Sequence, residues 1–498
     1  MSTRRIAWIG GLALAAAVVT STLAPPLASS ASAAGSRPVL GTPQAIRHSG
    51  RWLVDDQGRV LLPRGLNIVA KLAPYYPAAF STTDAKFLSS EGFTTARIAF
   101  MWAGVEPRPG VYDDAYIKRI AHLNAVLASY GIRTLIDFHQ DSYSEKYGGD
   151  GAPAWASLDN GLCLAPGAAC TGFATLAFQN FWSNTQASDG IGIQDHFLRA
   201  WQHVLPFVRN SANVLGYDIL NEPYPGPSAL CIALTICPMF EGQQLATFYR
   251  RATAAIRSRD TTHLIFYEPM PTLLGNATWL PAPLSADAKL GYTYHFYARD
   301  CGLPPTPTDP LTVLVQHSHC AVEEGAAIDN GIQYARRANS ALLMGEWGDT
   351  SNLVDVAQMG DLMNQRLVPW AEWEYNTTIS SVAPGLLIND SKPGSERNAR
   401  QDRLNALVSP YAPALAGTPL AYAYDRGRDV MTLTYLTRAA SRWGLSRDAL
   451  TELFIPRRHY LNGYHLRLLG ARVVGKLGQY VYLKALPGAA RVSVRLTR

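Results

Sequence analysis

Apolar and polar positions along this chain follow two different periods. From Arg51 to about Gly417, short runs of β-branched, aromatic and aliphatic residues are each followed by a longer stretch. In the longer stretches the apolar positions recur every three or four residues. The short runs predict eight strands: Val60–Ala70, Thr94–Phe100, Thr134–His139, Val214–Asn221, His263–Glu268, Leu290–Tyr297, Leu342–Glu346 and Trp370–Tyr375. The longer stretches, such as Asp113–Tyr130, Ile193–Asn210 and Phe240–Arg257, predict amphipathic helices. Strand–helix alternation repeated in this way predicts an α/β fold, a (β/α)8 TIM barrel. A doubly wound sheet competes, but no Gly-x-Gly-x-x-Gly turn follows the first strand. Beyond Gly417-Thr418-Pro419 the pattern changes. Short runs at Val430–Leu436, Leu453–Ile455, His465–Leu469, Arg472–Leu477, Tyr480–Ala485 and Arg491–Leu496 are punctuated by Gly, Pro and Asn. They predict a small β-sandwich.

Composition adds a targeting segment and a compartment. The chain has 498 residues, 48% of them hydrophobic, enough for a large core. Arg4 and Arg5 precede an apolar stretch from Ile6 to about Val19, and Ala31-Ser32-Ala33 offers a small-residue cleavage site. The apolar core is short and breaks at Pro25-Pro26, which predicts a signal peptide rather than a membrane anchor, and hence a secreted protein. The expected domain plan is therefore signal peptide 1–33, flexible lead-in 34–50, barrel 51–416 and sandwich 417–498. Six cysteines, Cys163, Cys170, Cys231, Cys237, Cys301 and Cys320, lie in segments that read as loops. Their spacings lack the Cys-x2-Cys turns of structural zinc sites, so disulfides in an oxidising compartment are expected. Of fifteen possible connectivities, sequential pairing is the simplest.

Charge is unevenly spread. The net charge is +6, but residues 417–498 alone hold 14 Lys/Arg against 4 Asp/Glu. A solvated surface that keeps the protein dispersed accounts for this. Peripheral attraction of the basic piece to an anionic membrane surface is the functional alternative. No motif supports a nucleic-acid partner, and a monomer is expected.

The candidate chemistry sits at predicted strand ends: Arg97; His139, Gln140 and Asp141; Asn221 and Glu222; His295 and Tyr297; Glu346; and Trp373 on strand eight. One Asn-Glu-Pro alone reads as well as a helix start, with Asn as cap and Glu in the first turn. Together, at successive strand ends of a barrel, these residues converge on one mouth. Two carboxyl groups brought together there suit glycosidic bond cleavage, one giving a proton to the leaving oxygen and one attacking the anomeric carbon. In such a site Arg97 keeps the nucleophile ionised, Asn221 bonds the sugar 2-hydroxyl, Tyr297 orients the nucleophile and Trp373 floors the sugar ring. Glu268, Glu372 and Glu374 rank below Glu222 and Glu346, lacking the Asn neighbour or the Gly-Glu-x-Gly setting. A metal site built from His139, Asp141 and His295 ranks lower still, since no pair has helical i, i+4 spacing.

Several motifs resemble one family. Asp137-Phe138-His139-Gln140-Asp141-Ser142-Tyr143-Ser144, Gly149-Asp150-Gly151-Ala152-Pro153-Ala154-Trp155-Ala156, Val105-Glu106-Pro107-Arg108-Pro109-Gly110-Val111-Tyr112, Asn221-Glu222-Pro223 and the barrel exit Pro410–Pro419 resemble clan A retaining glycosidases. More narrowly, they resemble the endoglycoceramidases of glycoside hydrolase family 5. The resemblance covers roughly residues 50 to 420, and only the architecture agrees beyond. It implies Glu222 as acid/base, Glu346 as nucleophile, and Lys71 and Asp141 as sugar contacts. It implies a glycosphingolipid substrate cut between oligosaccharide and ceramide, with no metal or organic cofactor. Strand seven departs from the pattern, with Met-Gly-Glu-Trp-Gly where family members often carry Phe after the glutamate. Loops 158–192 and 224–241 are apolar enough either to line a lipid slot or to pack on each other. Other family 5 activities, on glucosylceramide, steryl glucoside or polysaccharide, are the alternatives, followed by an inactive glycolipid-binding protein.

Overall fold

The computed structural model describes residues 46–164, 167–227, 231, 237–271, 278–298, 310–378 and 381–498. Eight strands close a barrel: β1 (Arg64–Ile68), β2 (Thr95–Met101), β3 (Arg133–His139), β4 (Val214–Asp218), β5 (Leu264–Tyr267), β6 (Leu290–His295), β7 (Ala341–Glu346) and β8 (Trp370–Glu372). They pair in parallel in chain order, and β8 returns to β1. Every residue of these strands is buried. That is why they read as continuous apolar runs rather than alternating ones.

The first expected strand, Val60–Ala70, is two strands. Pro63 has no N–H for a ladder, so Val60–Leu61 pairs in another sheet and only Arg64–Ile68 enters the barrel. The expected helices form as Asp114–Ala128, Ile193–Val208 and Ala246–Arg257, the last preceded by a π-helical turn over Phe240–Leu245. Asp113 caps the first of them, its carboxylate accepting the N–H groups of Ala115 and Tyr116.

Two antiparallel sheets complete the molecule. One holds Thr418–Asp425, Val430–Leu436, Arg491–Thr497 and His465–Leu469. The other has seven strands. Tyr411–Leu415, Thr451–Phe454, Tyr480–Ala485 and Ala471–Leu477 are joined there by Arg47–Ser49, Trp52–Val54 and Val60–Leu61. The sheets meet through buried alternate residues, and the Thr451 hydroxyl donates to the Tyr435 hydroxyl across them at 3.0 Å.

The domain plan is redrawn by this sheet. The end of the expected lead-in 34–50 is a strand, and residues on both sides of the expected cut at 416/417 belong to the C-terminal sheets. The reason is apolar burial. Leu53, Leu61 and Ala414 form one cluster with Leu135, Leu215, Phe266 and Leu343 of the barrel strands, so the sheet plugs one end of the barrel.

Disulfides join Cys163 to Cys170 in the loop after β3 and Cys231 to Cys237 in the loop after β4. The expected 301–320 pair has one end, Cys301, outside the described residues. No described helix is long and apolar enough to cross a membrane.

Candidate active site

An arginine in the middle of β2 organises the barrel interior. Arg97 is fully buried, and its guanidinium meets Glu346 Oε1 at 2.5 Å, Asp218 Oδ2 at 2.9 Å, Glu268 Oε1 at 3.0 Å and Asp137 Oδ2 at 3.1 Å. It also donates to Asn221 Oδ1 at 2.8 Å. Burying this many charges costs several kcal/mol per ion unless they compensate one another. Burial, and then Glu268, push the Asp218 carboxyl well up. His139 and His295 supply positive charge. Burial opposes protonation of His139, but its hydrogen bond to Asp137 and the nearby Asp141 raise it to about 10. Burial likewise opposes the charge on His295, and Glu268 and Glu346 raise it.

Glu346 ends β7. Burial favours its neutral form, yet His295, Arg97 and His139 hold its carboxyl below the usual range. The Tyr297 hydroxyl donates to Glu346 Oε2 at 2.9 Å. Glu222 lies just beyond β4. His295 Nδ1 meets its Oε1 at 2.9 Å, and its backbone N–H donates to Glu268 Oε2 at 2.9 Å. The Glu222 side chain is 25% exposed against 5% for Glu346. Carboxylate oxygens of the two glutamates lie within 4.8 Å of each other. This suits the short separation of retaining glycosidases, about 5–5.5 Å, rather than the roughly 6.5–9.5 Å of inverting ones.

Trp373 follows β8 and forms a wall. The His139 ring stacks against it at 5.5 Å between centroids, and the Lys71 ammonium lies 4.4 Å from its centroid. Lys71 also donates to Asp141 Oδ2. A cavity of about 430 Å³ opens here, lined by Lys71, Asp141, Glu222, Tyr297, Glu346 and Trp373 together with Thr175, Phe178 and Tyr224. The first six are the expected site residues that reach the cavity. Arg97, His139, Asn221 and His295 are buried and are not among the residues that line it.

The lower-ranked acids have structural partners. Glu372 is bound by Arg403 Nε at 2.9 Å, and Glu374 accepts the Thr378 N–H at 2.8 Å. Glu268 joins the Arg97 cluster instead of facing the cavity. The weighed metal trio is split. His139 and Asp141 group with Asp150, while His295 groups with Glu222 and Glu346. The Lys71 ammonium already bonds Asp141, which disfavours a cation there.

Sequence reasoning missed Asp137, Asp218 and Asp150 as parts of the site. A charged residue inside an otherwise apolar buried strand was the available signal for the first two. Phe178 and Tyr224 carry no such signal. Of the two apolar loops, part lines the cavity and part packs on itself. Phe181 and Trp182 pack against Phe248, and Trp182 also against Phe240, while a groove of about 410 Å³ runs past Trp182, Pro225, Met239 and Phe240.

The model of the cellulase family, glycosyl hydrolase family 5, matches residues 54–378, and that of the glycoside hydrolase family 5 C-terminal domain matches residues 410–495. The chain belongs to glycosyl hydrolase family 5. It is a glycoside hydrolase, and the expected fold class and family resemblance both hold. Endoglycoceramidase I of Rhodococcus hoagii (strain 103S) is 27% identical over 467 residues, covering 91% of this chain and 88% of that one. Solved structures of endo-glycoceramidase II from Rhodococcus sp. cover 90% of this chain and 99% of that one. They include a five-membered iminocyclitol complex (TM-score 0.73, 26% identity), a lactosyl-enzyme intermediate (0.70, 26%) and a ganglioside GM3 complex (0.71, 25%).

Proposed function

We propose that this protein is a retaining endoglycosidase that hydrolyses the β-glycosidic bond between oligosaccharide and ceramide in glycosphingolipids. The observation that carries it is the close pair of unlike glutamates at the barrel mouth. Glu346 is buried, held ionised and oriented by Tyr297, as a nucleophile requires. Glu222 is partly exposed at the cavity wall, where a leaving oxygen arrives. Glu346 attacks the anomeric carbon as Glu222 gives its proton to the ceramide oxygen, forming a glycosyl-enzyme ester. Glu222 then takes a proton from water, which attacks the same carbon and releases Glu346.

Support for the substrate class comes from relatives along nearly the whole chain, one solved with ganglioside GM3 bound. Trp373 offers an apolar floor and the Lys71–Asp141 pair offers polar contacts for sugar hydroxyls. The complete constellation of both acids with their cations and Tyr297 argues against an inactive binding protein. The test is product analysis after incubation with a ganglioside and detergent. Ceramide plus an intact oligosaccharide is the expected result. Release of single sugars, or turnover of glucosylceramide, steryl glucoside or polysaccharide alone, overturns the reading.

We also propose export with removal of residues 1–33, which the basic-then-apolar N-terminus and two disulfides support. The N-terminal sequence of protein recovered from the medium tests this, and an unprocessed cytoplasmic chain refutes it. All the site residues come from one chain, so the reading needs no second copy.

A further inference from the structure

Two stretches of rare backbone meet at one glutamine. Glu222 has φ +42°, and Ser142 and Tyr143, in the turn after β3, have φ +48° and +73°. Non-glycine residues take this left-handed region seldom, and hold it only where surrounding contacts over-determine it. Gln140 lies between them, buried one residue beyond β3. Its amide nitrogen donates to the carbonyl of Asn221 at 2.8 Å and to that of Glu222 at 2.9 Å. Its amide oxygen accepts the Tyr143 N–H at 2.7 Å, and its own carbonyl accepts Asn221 Nδ2 at 2.9 Å. The chain makes room for it. A Cβ at Gly151 (φ +108°) would lie 2.4 Å from Gln140 Cβ.

We infer that Gln140 is a positioning residue for proton transfer: by holding the carbonyls of Asn221 and Glu222, it keeps Glu222 in its left-handed conformation with the carboxyl aimed at the leaving oxygen. On the other side of Glu222, Glu268 takes the backbone N–H, so both peptide groups of the residue are fixed. Glu346 is held from other strands, by Arg97 and Tyr297. Loss of the clamp therefore disturbs the proton donor and spares the nucleophile. The inference rests on Glu222 being the acid/base.

A leaving group that departs without a proton separates the two. The enzyme, Gln140→Met, Gln140→Glu and Glu222→Gln are assayed for kcat/KM on a ganglioside and on 2,4-dinitrophenyl β-lactoside. Gln140→Met removes every polar contact of the side chain at similar volume, and Gln140→Glu keeps only the acceptor for Tyr143. Both are expected to lose about 100-fold on the ganglioside, within the range general acid catalysis contributes. On the dinitrophenyl substrate the loss is expected to be at least about ten times smaller, since that leaving group needs no general acid. Equal losses on both substrates, or no loss on either, overturn the inference. If Glu222→Gln shows the selectivity and the Gln140 variants do not, the inference alone falls. If Glu222→Gln shows none, the acid/base assignment falls and the inference with it.

Discussion

Arg97 shows how a single residue can be both structural and chemical. Its guanidinium faces Asp137, Asp218, Glu268 and Glu346 with no access to solvent. Removing a partner from such a cluster leaves uncompensated buried charge, which costs about 3–5 kcal/mol. Arg97→Met is expected to lower stability on that scale in denaturant or thermal unfolding, beyond any loss of turnover. An unchanged unfolding midpoint would mean that the acids are protonated and need no counter-charge. Glu346→Gln is a milder structural change, since the amide keeps the shape, its oxygen can still accept from Arg97, and its NH2 can donate to the Tyr297 hydroxyl oxygen. It is expected to retain the fold while ganglioside turnover falls about 10⁴-fold, as when one member of a catalytic unit is removed. Near-normal turnover in a correctly folded variant would move the nucleophile elsewhere. Both glutamates were legible in the sequence because each ends an apolar run beside a short motif. Asp137 and Asp218 of the Arg97 cluster were not read, because their meeting is set by barrel closure and not by any local pattern.

Among elements, the contact between the long helix Pro310–Ala338 and the helix Leu353–Gln365 carries a pH dependence. Glu324 on the first is buried against Asp355 on the second, and Gln358 donates to it at 3.1 Å. Burial, and then Asp355, push the Glu324 carboxyl up to about 9. A carboxyl whose folded value is raised stabilises fully below its unfolded value, near 4, and loses that contribution as pH rises toward its folded value. Glu374 and Asp150, each raised chiefly by burial to about 8, act with the same sign. His139, raised to about 10, does so above its unfolded value near 6.5. Acids held low, such as Glu346, lose their contribution only in the acid range. The unfolding temperature is therefore expected to fall between pH 6 and 9, which calorimetry across that range measures. Glu324→Gln, which can still donate to Asp355, is expected to flatten the slope by up to about 1.4 kcal/mol per pH unit, one proton's worth. An identical slope in the variant would remove Glu324 from the account.

At the scale of the whole molecule, Tyr411–Leu415 pairs both with Val60–Leu61 from before the barrel and with Thr451–Phe454 from after it. Truncation at 416 would strip Thr451–Phe454 from its pairing with Tyr411–Leu415 and take the Phe454 ring away from Tyr411. The truncated chain is expected to be insoluble, and the intact protein to unfold in a single thermal transition; a soluble, folded 46–416 fragment would show that the barrel is autonomous. The proposed membrane role of the basic C-terminal region must therefore be tested without deletion. Arg472 and Lys476 are exposed on Ala471–Leu477, an edge strand of the seven-stranded sheet, and Arg467 is exposed on His465–Leu469. Replacing all three by Gln is expected to weaken binding to phosphatidylserine-containing vesicles by up to about 100-fold at low salt, at about 1 kcal/mol per charge near the surface. The difference should fade at high salt. Equal binding at low salt would leave the region a structural brace.

What the sequence determined by itself was local in origin. Continuous apolar runs mark strands buried on both faces, three- and four-residue spacing marks helices, and the punctuation by Gly, Pro and Asn marks short antiparallel strands. Strand-end position singled out Glu222 and Glu346, with Trp373 on strand eight, because barrel topology turns position along a strand into position at the mouth, while Lys71 came from the family resemblance. Tertiary structure decided what depends on residues distant in the chain. Val60–Leu61 was assigned to the C-terminal sheet because its partner strand Tyr411–Leu415 lies some 350 positions away, and Arg47–Ser49 and Trp52–Val54 follow it there through local antiparallel pairing. Four acids were gathered on Arg97 because closure of the barrel brings five strands to one axis. Gln140 became a clamp because the turn after β3 and the loop after β4 come within hydrogen-bonding reach only in the folded barrel. A hydrogen bond between remote residues leaves no period in the sequence, so its partners become visible only in the folded chain.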